Sequence, residues 1–281
     1  MKSYAIHNGN FSIPIDRTWI GYSVYGKGPA CVICPVPWGI GTQAWKTILR
    51  LSQFLTIVFI DPRGVGNSGP ASSKSEYGIP VLVNDINTIR EHLHISSWSV
   101  VGQSAGGFSA LEYALEFPDT VDKLSVVCSS PSGHFHKGTI RDKNHPRFGE
   151  IKGAFEKLRD SFTKENFRSY MTAVYSMDIQ NPDALPEIVE MFGMTDVSLE
   201  RYKYFATVEL NRYNVTDKLA GIAQPTLIMA GKHDIHVSLS HSIIMAERIP
   251  HARYLLMEKS GHFPWLDEPD RFISVMKEFI L

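Results

Sequence analysis

Short apolar runs and amphipathic stretches alternate along most of this chain. "FSIPID" and "TWIGYSVYG" switch between apolar and polar residues closely enough to predict two antiparallel strands near the start. "ACVICPV" and "TIVFID" are short apolar runs that stop at proline and glycine, and Thr42 to Phe54 between them reads as a helix. Leu82, Ile86, Ile89 and Leu93 recur at helical spacing and predict a helix over Val81 to Leu93. The strand "SWSVVG", a helix from Ala105 to Phe117 and the strand "KLSVVCSS" follow. Short apolar strands separated by helices predict a mostly parallel sheet covered on both faces.

The rhythm breaks after Pro131. From His134 to about Thr216 the helical stretches are longer and charged, rich in aromatics and methionine, with no strand-like run among them. Alternation resumes with "PTLIMAG", Leu239 to Arg248, "ARYLLME" and Pro269 to Leu281. The pattern predicts an α/β core of residues 1–132 and 219–281 interrupted by a helical insertion of residues 133–218.

Chemistry enters where one strand becomes a helix, at Gly102-Gln103-Ser104-Ala105-Gly106. A serine between glycines at such a turn is pushed outward at the carboxyl edge of the sheet, where ligands bind in open α/β folds. The N–H groups that open the following helix lie beneath it and can stabilise an oxyanion. This is the G-x-S-x-G nucleophile elbow. A serine hydroxyl needs a base, and the base needs an orienting acid. His262 follows the last predicted strand, and Asp234 follows the strand before it. The chain order Ser104, Asp234, His262 is the one this elbow predicts.

Composition narrows the class. The 281 residues are 43% hydrophobic, enough for a large core. A net charge of −1 gives no electrostatic footing for nucleic acid. No run approaches the roughly 18 apolar residues of a membrane span. The opening "MKSYAIHNGNFSIPID" has no apolar signal core, so a cytoplasmic protein with a small-molecule substrate is expected, without nucleic-acid or membrane partners. Cys31 and Cys34 lie three apart on a predicted strand, so they point to opposite faces and read as buried apolar residues. His134 with His136, and His233 with His236, lack a convergent third ligand, so no metal is expected.

Elbow, late aspartate and late histidine on an eight-strand pattern resemble the α/β-hydrolase family. "DPRGVGNSG" from Asp61 and "NVTDKLAGIAQPTLIMAGKHD" resemble its proline iminopeptidase branch. The resemblance implies an α/β-hydrolase fold with a mostly parallel eight-stranded sheet, the insertion serving as a helical cap. It implies a triad of Ser104, Asp234 and His262, no cofactor, and an oxyanion donor at Ala105. The Asp61–Arg63 loop is expected to be structural.

Two positions depart from that branch. Its second oxyanion donor follows the third strand in an H-G-G-P-G or H-G-x loop, but here Pro37 stands in the donor's place and has no N–H. Trp38 or Gly39 is expected to serve instead, and the V-P-x-G-x-G run resembles the loop of zearalenone-type lactone hydrolases. Ile235 follows Asp234, where many iminopeptidases carry an acid for the substrate's ammonium. The insertion offers Glu187, Glu190, Asp196, Glu200 and Glu209 for that ammonium, but these read equally as a solvated helix face, the more common case. A pocket of Trp38, Phe192, Met194, Tyr204 and Phe205 suits a small, uncharged ester or lactone. The expected activity is a serine hydrolase working through an acyl-enzyme. An iminopeptidase-like aminopeptidase and a non-enzymatic ligand receptor on the same fold are the alternatives.

Overall fold

A computed structural model describes residues 6–40, 42–193 and 197–281. Eight strands form one sheet: β1 (Gly9–Ile15), β2 (Thr18–Gly26), β3 (Ala30–Ile33), β4 (Thr56–Ile60), β5 (Trp98–Gln103), β6 (Val121–Val127), β7 (Thr226–Gly231) and β8 (Ala252–Met257). Their order across the sheet is β1-β2-β4-β3-β5-β6-β7-β8. β1 and β2 pair antiparallel, as does β2 with β4, and every later pairing is parallel. β4, β5 and β7 are buried along their whole length, which is why they read as unbroken apolar runs. The outer strands β1 and β8 keep several exposed positions.

The order of the central strands decides where a ligand can sit. The chain steps from β3 to β4 in one direction and from β4 past β3 to β5 in the other. Right-handed crossovers in opposite directions put their helices on opposite faces, and a crevice opens at the carboxyl ends of β3 and β5. On the way to β4 lies a 3-10 helix (Thr42–Gln53), and on the way to β5 lies α1 (Ile79–His92). The α-helix expected over Thr42 to Phe54 is therefore wound more tightly. Ile48 and Leu51, both buried, are three apart, the spacing that a 3-10 helix eclipses.

α2 (Gly106–Glu116) follows β5, α8 (Leu239–Arg248) follows β7, and α9 (Pro264–Asp267) and α10 (Pro269–Ile280) follow β8. Between β6 and β7 lie α3 (Phe148–Asp160), α4 (Lys164–Ser176), α5 (Leu185–Gly193), α6 (Leu199–Tyr204) and α7 (Leu210–Arg212), the last two joined by a π turn over Phe205–Glu209. A bridge between Ser132 and Asn214 draws the two ends of this helical segment together. Gly133 N–H reinforces it on the Tyr213 carbonyl at 2.9 Å, as does Val215 N–H on that of Pro131 at 2.8 Å. Cys31 and Cys34 are buried free thiols, and burial pushes the Cys31 thiol up to about 12. Among the described residues no helix is long and apolar enough to cross a membrane.

The Asp61–Arg63 loop is held from within. The buried Arg63 guanidinium forks onto Asp85 at 2.9 and 2.8 Å, and reaches Glu76 at 2.8 Å and Asp16 at 3.2 Å. Asp61 accepts from the Asn67 N–H at 2.9 Å.

Candidate active site

β5 ends at Gln103, and the chain turns at Ser104 before α2 begins. Ser104 sits at φ 52°, in the left-handed region that side chains rarely adopt. Its N–H donates to the Val127 carbonyl at 2.9 Å, and its own carbonyl accepts from the Ser129 hydroxyl at 2.6 Å. These bonds over-determine a strained backbone, the situation in which such strain persists. The flanking glycines are a matter of space. A Cβ on Gly102 would lie 2.5 Å from the Gly106 carbonyl oxygen, and one on Gly106 would lie 2.6 Å from that of Cys34. The turn presents Ser104 to a cavity of about 570 Å³ between the sheet edge and the helical segment.

The acid and the imidazole meet beyond β6, where β7 and β8 end. Asp234 Oδ1 accepts from the N–H groups of His236 at 2.7 Å and Val237 at 2.9 Å, which fixes the turn after β7. Its Oδ2 faces Nδ1 of His262 at 2.8 Å, and both side chains are buried. Asp234 is thus a turn cap and a histidine partner at once. With Nδ1–H donating to the carboxylate, Nε2 of His262 is left as an acceptor, and it has no hydrogen-bond partner among the described residues. Gln103, next to the serine, donates its side-chain amide to the His262 carbonyl at 3.0 Å and ties the two loops together. Ser104 and His262 are not hydrogen-bonded to each other.

Cys128 Sγ joins Asp234 and His262 in one cluster whose ligand atoms lie within 4.8 Å of one another. The donor set does not fit a metal. Both Asp234 oxygens are already engaged, and burial with the neighbouring Asp234 charge holds the Cys128 thiol well above its ordinary range, hence protonated.

Of the two donors expected in the loop after β3, one is engaged within the loop. Gly39 N–H closes a turn on the Val36 carbonyl at 3.2 Å, which corrects the expectation that Gly39 offers it to a substrate. The N–H groups of Trp38 and Ala105 have no acceptor among the described residues. Arg201 of α6, 1% exposed, aims the first of them. Its Nε donates to the Pro37 carbonyl at 3.1 Å, while its two terminal nitrogens reach the Arg63 carbonyl at 3.1 Å and the Tyr77 carbonyl at 3.3 Å. C=O and N–H of a trans peptide point in opposite directions, so anchoring Pro37 O fixes the direction of Trp38 N–H. Burial lowers the Arg201 guanidinium to about 10, a measure of how dry this anchor is. Arg201→Ala is expected to lower stability by about 2–4 kcal/mol in urea unfolding, because three carbonyls lose their donor. Arg201→Lys should restore little of it, since one ammonium does not span three acceptors.

Trp38, Ser104, Ala105 and Phe205 line the cavity. Two other expected lining residues do not. Phe192 is buried behind the wall, stacked on Tyr175 with ring centroids 4.6 Å apart, because its face of α5 packs inward. Tyr204 turns to the outer side of α6 beside Tyr77, 6.1 Å away. Met194 and Asp196 lie outside the described residues. Glu187, Glu190 and Glu200 are exposed, and Glu209 accepts from the Ile79 N–H at the start of α1 at 3.2 Å. Tyr170, Tyr175, Tyr202, His136, His236 and Arg141 complete much of the wall; the sequence carried no argument for the tyrosines or Arg141, and offered His136 or His236 only as a possible neighbour of the pocket mouth.

The family model described as the alpha/beta hydrolase fold matches residues 45–269. The chain belongs to the α/β-hydrolase family. A pimeloyl-[acyl-carrier protein] methyl ester esterase of Aeromonas hydrophila is 24% identical over 259 residues, 91% of this chain and 97% of that one. A proline iminopeptidase of Clostridioides difficile is 25% identical, over 93% of this chain and 92% of its own. Among solved structures, an alpha/beta fold family hydrolase from Bacillus anthracis str. Sterne superposes with a TM-score of 0.85 at 28% identity, covering 96% of this chain and 99% of that one.

One further residue of this α/β-hydrolase touches both catalytic-edge loops. Asp178, buried just beyond α4, accepts from the Ile235 N–H at 3.0 Å with one oxygen and from the His262 N–H with the other. Burial, and then the charge of Asp234, hold its carboxyl well above the usual aspartate range, against the opposing pull of those two N–H donors.

Proposed function

We propose that this α/β-hydrolase cleaves a carboxylic ester or lactone by acyl transfer through Ser104. His262 Nε2 takes the hydroxyl proton as Ser104 attacks the carbonyl carbon. Asp234 holds the imidazole by its Nδ1 and stabilises the imidazolium. The N–H groups of Ala105 and Trp38 bind the oxyanion, the alcohol leaves with the proton from His262, and water activated by the same imidazole releases the acid. The observation that carries this reading is the Asp234–His262 pair at 2.8 Å with its outer nitrogen unpartnered, at the sheet edge where Ser104 is held at φ 52°. Hydrogen bonds between nucleophile and base are often open without substrate and close in the complex. The helical segment roofs the cavity as a cap.

An aminopeptidase is the weaker reading, because no carboxylate lines the cavity among the described residues, so a substrate ammonium finds no counter-charge. A fluorophosphonate probe is expected to add one equivalent of mass at Ser104, located by peptide mapping. Folded protein that stays unlabelled would sink the hydrolase reading and favour a ligand receptor on this fold.

A further inference from the structure

Arg141 lies on the segment that leaves β6 for the helical segment, and its side chain lines the cavity beside Ser104. Its guanidinium has no carboxylate partner among the described residues. Nη1 donates to Nδ1 of His236 at 2.8 Å, Nη2 makes a long bond to the Tyr175 hydroxyl at 3.4 Å, and the group sits over the Tyr175 ring, 5.6 Å from its centroid. The other guanidinium N–H groups have no protein acceptor among the described residues. Arg63 and Arg201, which are more deeply buried, are surrounded by three carboxylates and by three carbonyls respectively. Enclosing a cation without a counter-charge is costly, and a fixed guanidinium fork is matched by a carboxylate.

The neighbouring groups point the same way. His236 accepts on Nδ1, so its proton is on Nε2, a buried donor with no partner among the described residues. Burial and the Arg141 charge hold His236 well below the ordinary histidine range and bring His136 down to about 4. Both rings are therefore neutral near pH 7, and the inner positive charge of the cavity rests on Arg141. Lys137 adds a second cation at the exposed mouth, and no Asp or Glu lines the cavity among the described residues. Phe155, Tyr170, Met171, Phe205 and Leu210 make the rest of the wall apolar.

Resting on the acyl-transfer reading, we infer that the substrate is a monoanion: an ester or lactone with an apolar body and a free carboxylate, which Arg141, itself oriented by Nδ1 of His236, grips through the free edge of its guanidinium. This revises the uncharged substrate expected from the sequence. Arg141 is then the specificity-determining residue of the site.

Two matched pairs test it. 4-Nitrophenyl hydrogen adipate against its methyl ester places the charge on the acyl side; 4-carboxyphenyl acetate against its methyl ester places it on the alcohol side. In at least one pair the anion should be favoured by about 10-fold or more in kcat/KM, mainly through KM, as expected for a charge-assisted hydrogen bond. Arg141→Gln should collapse that ratio, Arg141→Lys should keep part of it, and Arg141→Glu should invert it. Because the ratio is read within each variant, a general loss of activity does not imitate the result. Calorimetry with Ser104→Ala protein gives a readout free of catalysis: 4-phenylbutyrate should bind at least about 10-fold tighter than 4-phenylbutyramide, and the gap should close in Ser104→Ala/Arg141→Gln. Equal affinity for acid and amide, or a preference that survives Arg141→Gln, overturns the inference. If fluorophosphonate labelling fails while the calorimetric preference holds, acyl transfer is lost and the carboxylate site stands.

Discussion

Ser104→Ala and His262→Ala are each expected to lower kcat for a short 4-nitrophenyl ester by about 10³-fold or more, with KM changed little. The double variant should be no slower than either single one, because groups that act as one unit fail together. A factor of 10³ corresponds to about 4 kcal/mol of transition-state stabilisation. That is the scale expected when a hydroxyl nucleophile or its base is removed while the oxyanion donors remain. The residual rate should persist, since Ala105 and Trp38 donate through backbone N–H groups that neither substitution touches. Folding of the Ser104→Ala variant should be largely unaffected. Ser104 is held through its N–H and carbonyl, on Val127 and Ser129, and its side chain makes no bond that the turn depends on. Steady-state kinetics with circular dichroism of each variant makes the measurement. Losses that multiply in the double variant would show two independent sites and no shared proton transfer.

The parts of this architecture that were legible in the sequence are those governed by neighbours in the chain. β4, β5 and β7 are buried on both faces, so each is a plain apolar run. Gly102 and Gly106 are demanded by contacts within a few residues and by the end of β3, so the elbow appears as a short motif. Asp234 and His262 were placed by the order of strand ends. What stayed hidden depends on side chains that meet partners far away in sequence. Arg201 bonds to the Pro37 carbonyl 164 residues away, and backbone carbonyls leave no trace in residue type. Phe192 and Tyr204 have the composition of pocket residues, but helix register turned one into the core and the other outward. Arg141 sits in an irregular segment without periodicity, so only the cavity it lines reveals its role. Gly39 N–H closes a turn on the Val36 carbonyl, a backbone bond that residue type does not announce.

Asp178 belongs to the hidden class, and its removal is the second large effect expected. Its two oxygens hold the backbone N–H groups of Ile235 and His262, 57 and 84 residues away in the chain. One carboxyl therefore sets the spacing between the acid loop and the histidine loop. Asp178→Ala is expected to lower kcat by about 10–100-fold while KM moves little, because a displacement of about 1 Å in a catalytic group costs rate and not binding. Two buried N–H groups would also lose their acceptors, at about 1–3 kcal/mol each. Asp178→Asn keeps one acceptor oxygen and should fall between the two in both measurements. The pH dependence separates charge from shape. The folded carboxyl is raised above the ordinary aspartate value of about 4, so between the unfolded and folded values the native state holds the extra proton. Its contribution to stability is complete below the unfolded value and is lost as pH rises through the folded one. Asparagine does not titrate, so its stability deficit against the wild type should be greatest in acid and shrink as pH rises across that window. Urea midpoints over a pH series, set beside kcat and KM of both variants, measure this. A stability loss with kcat unchanged would make Asp178 a strut of the fold without influence on the imidazole.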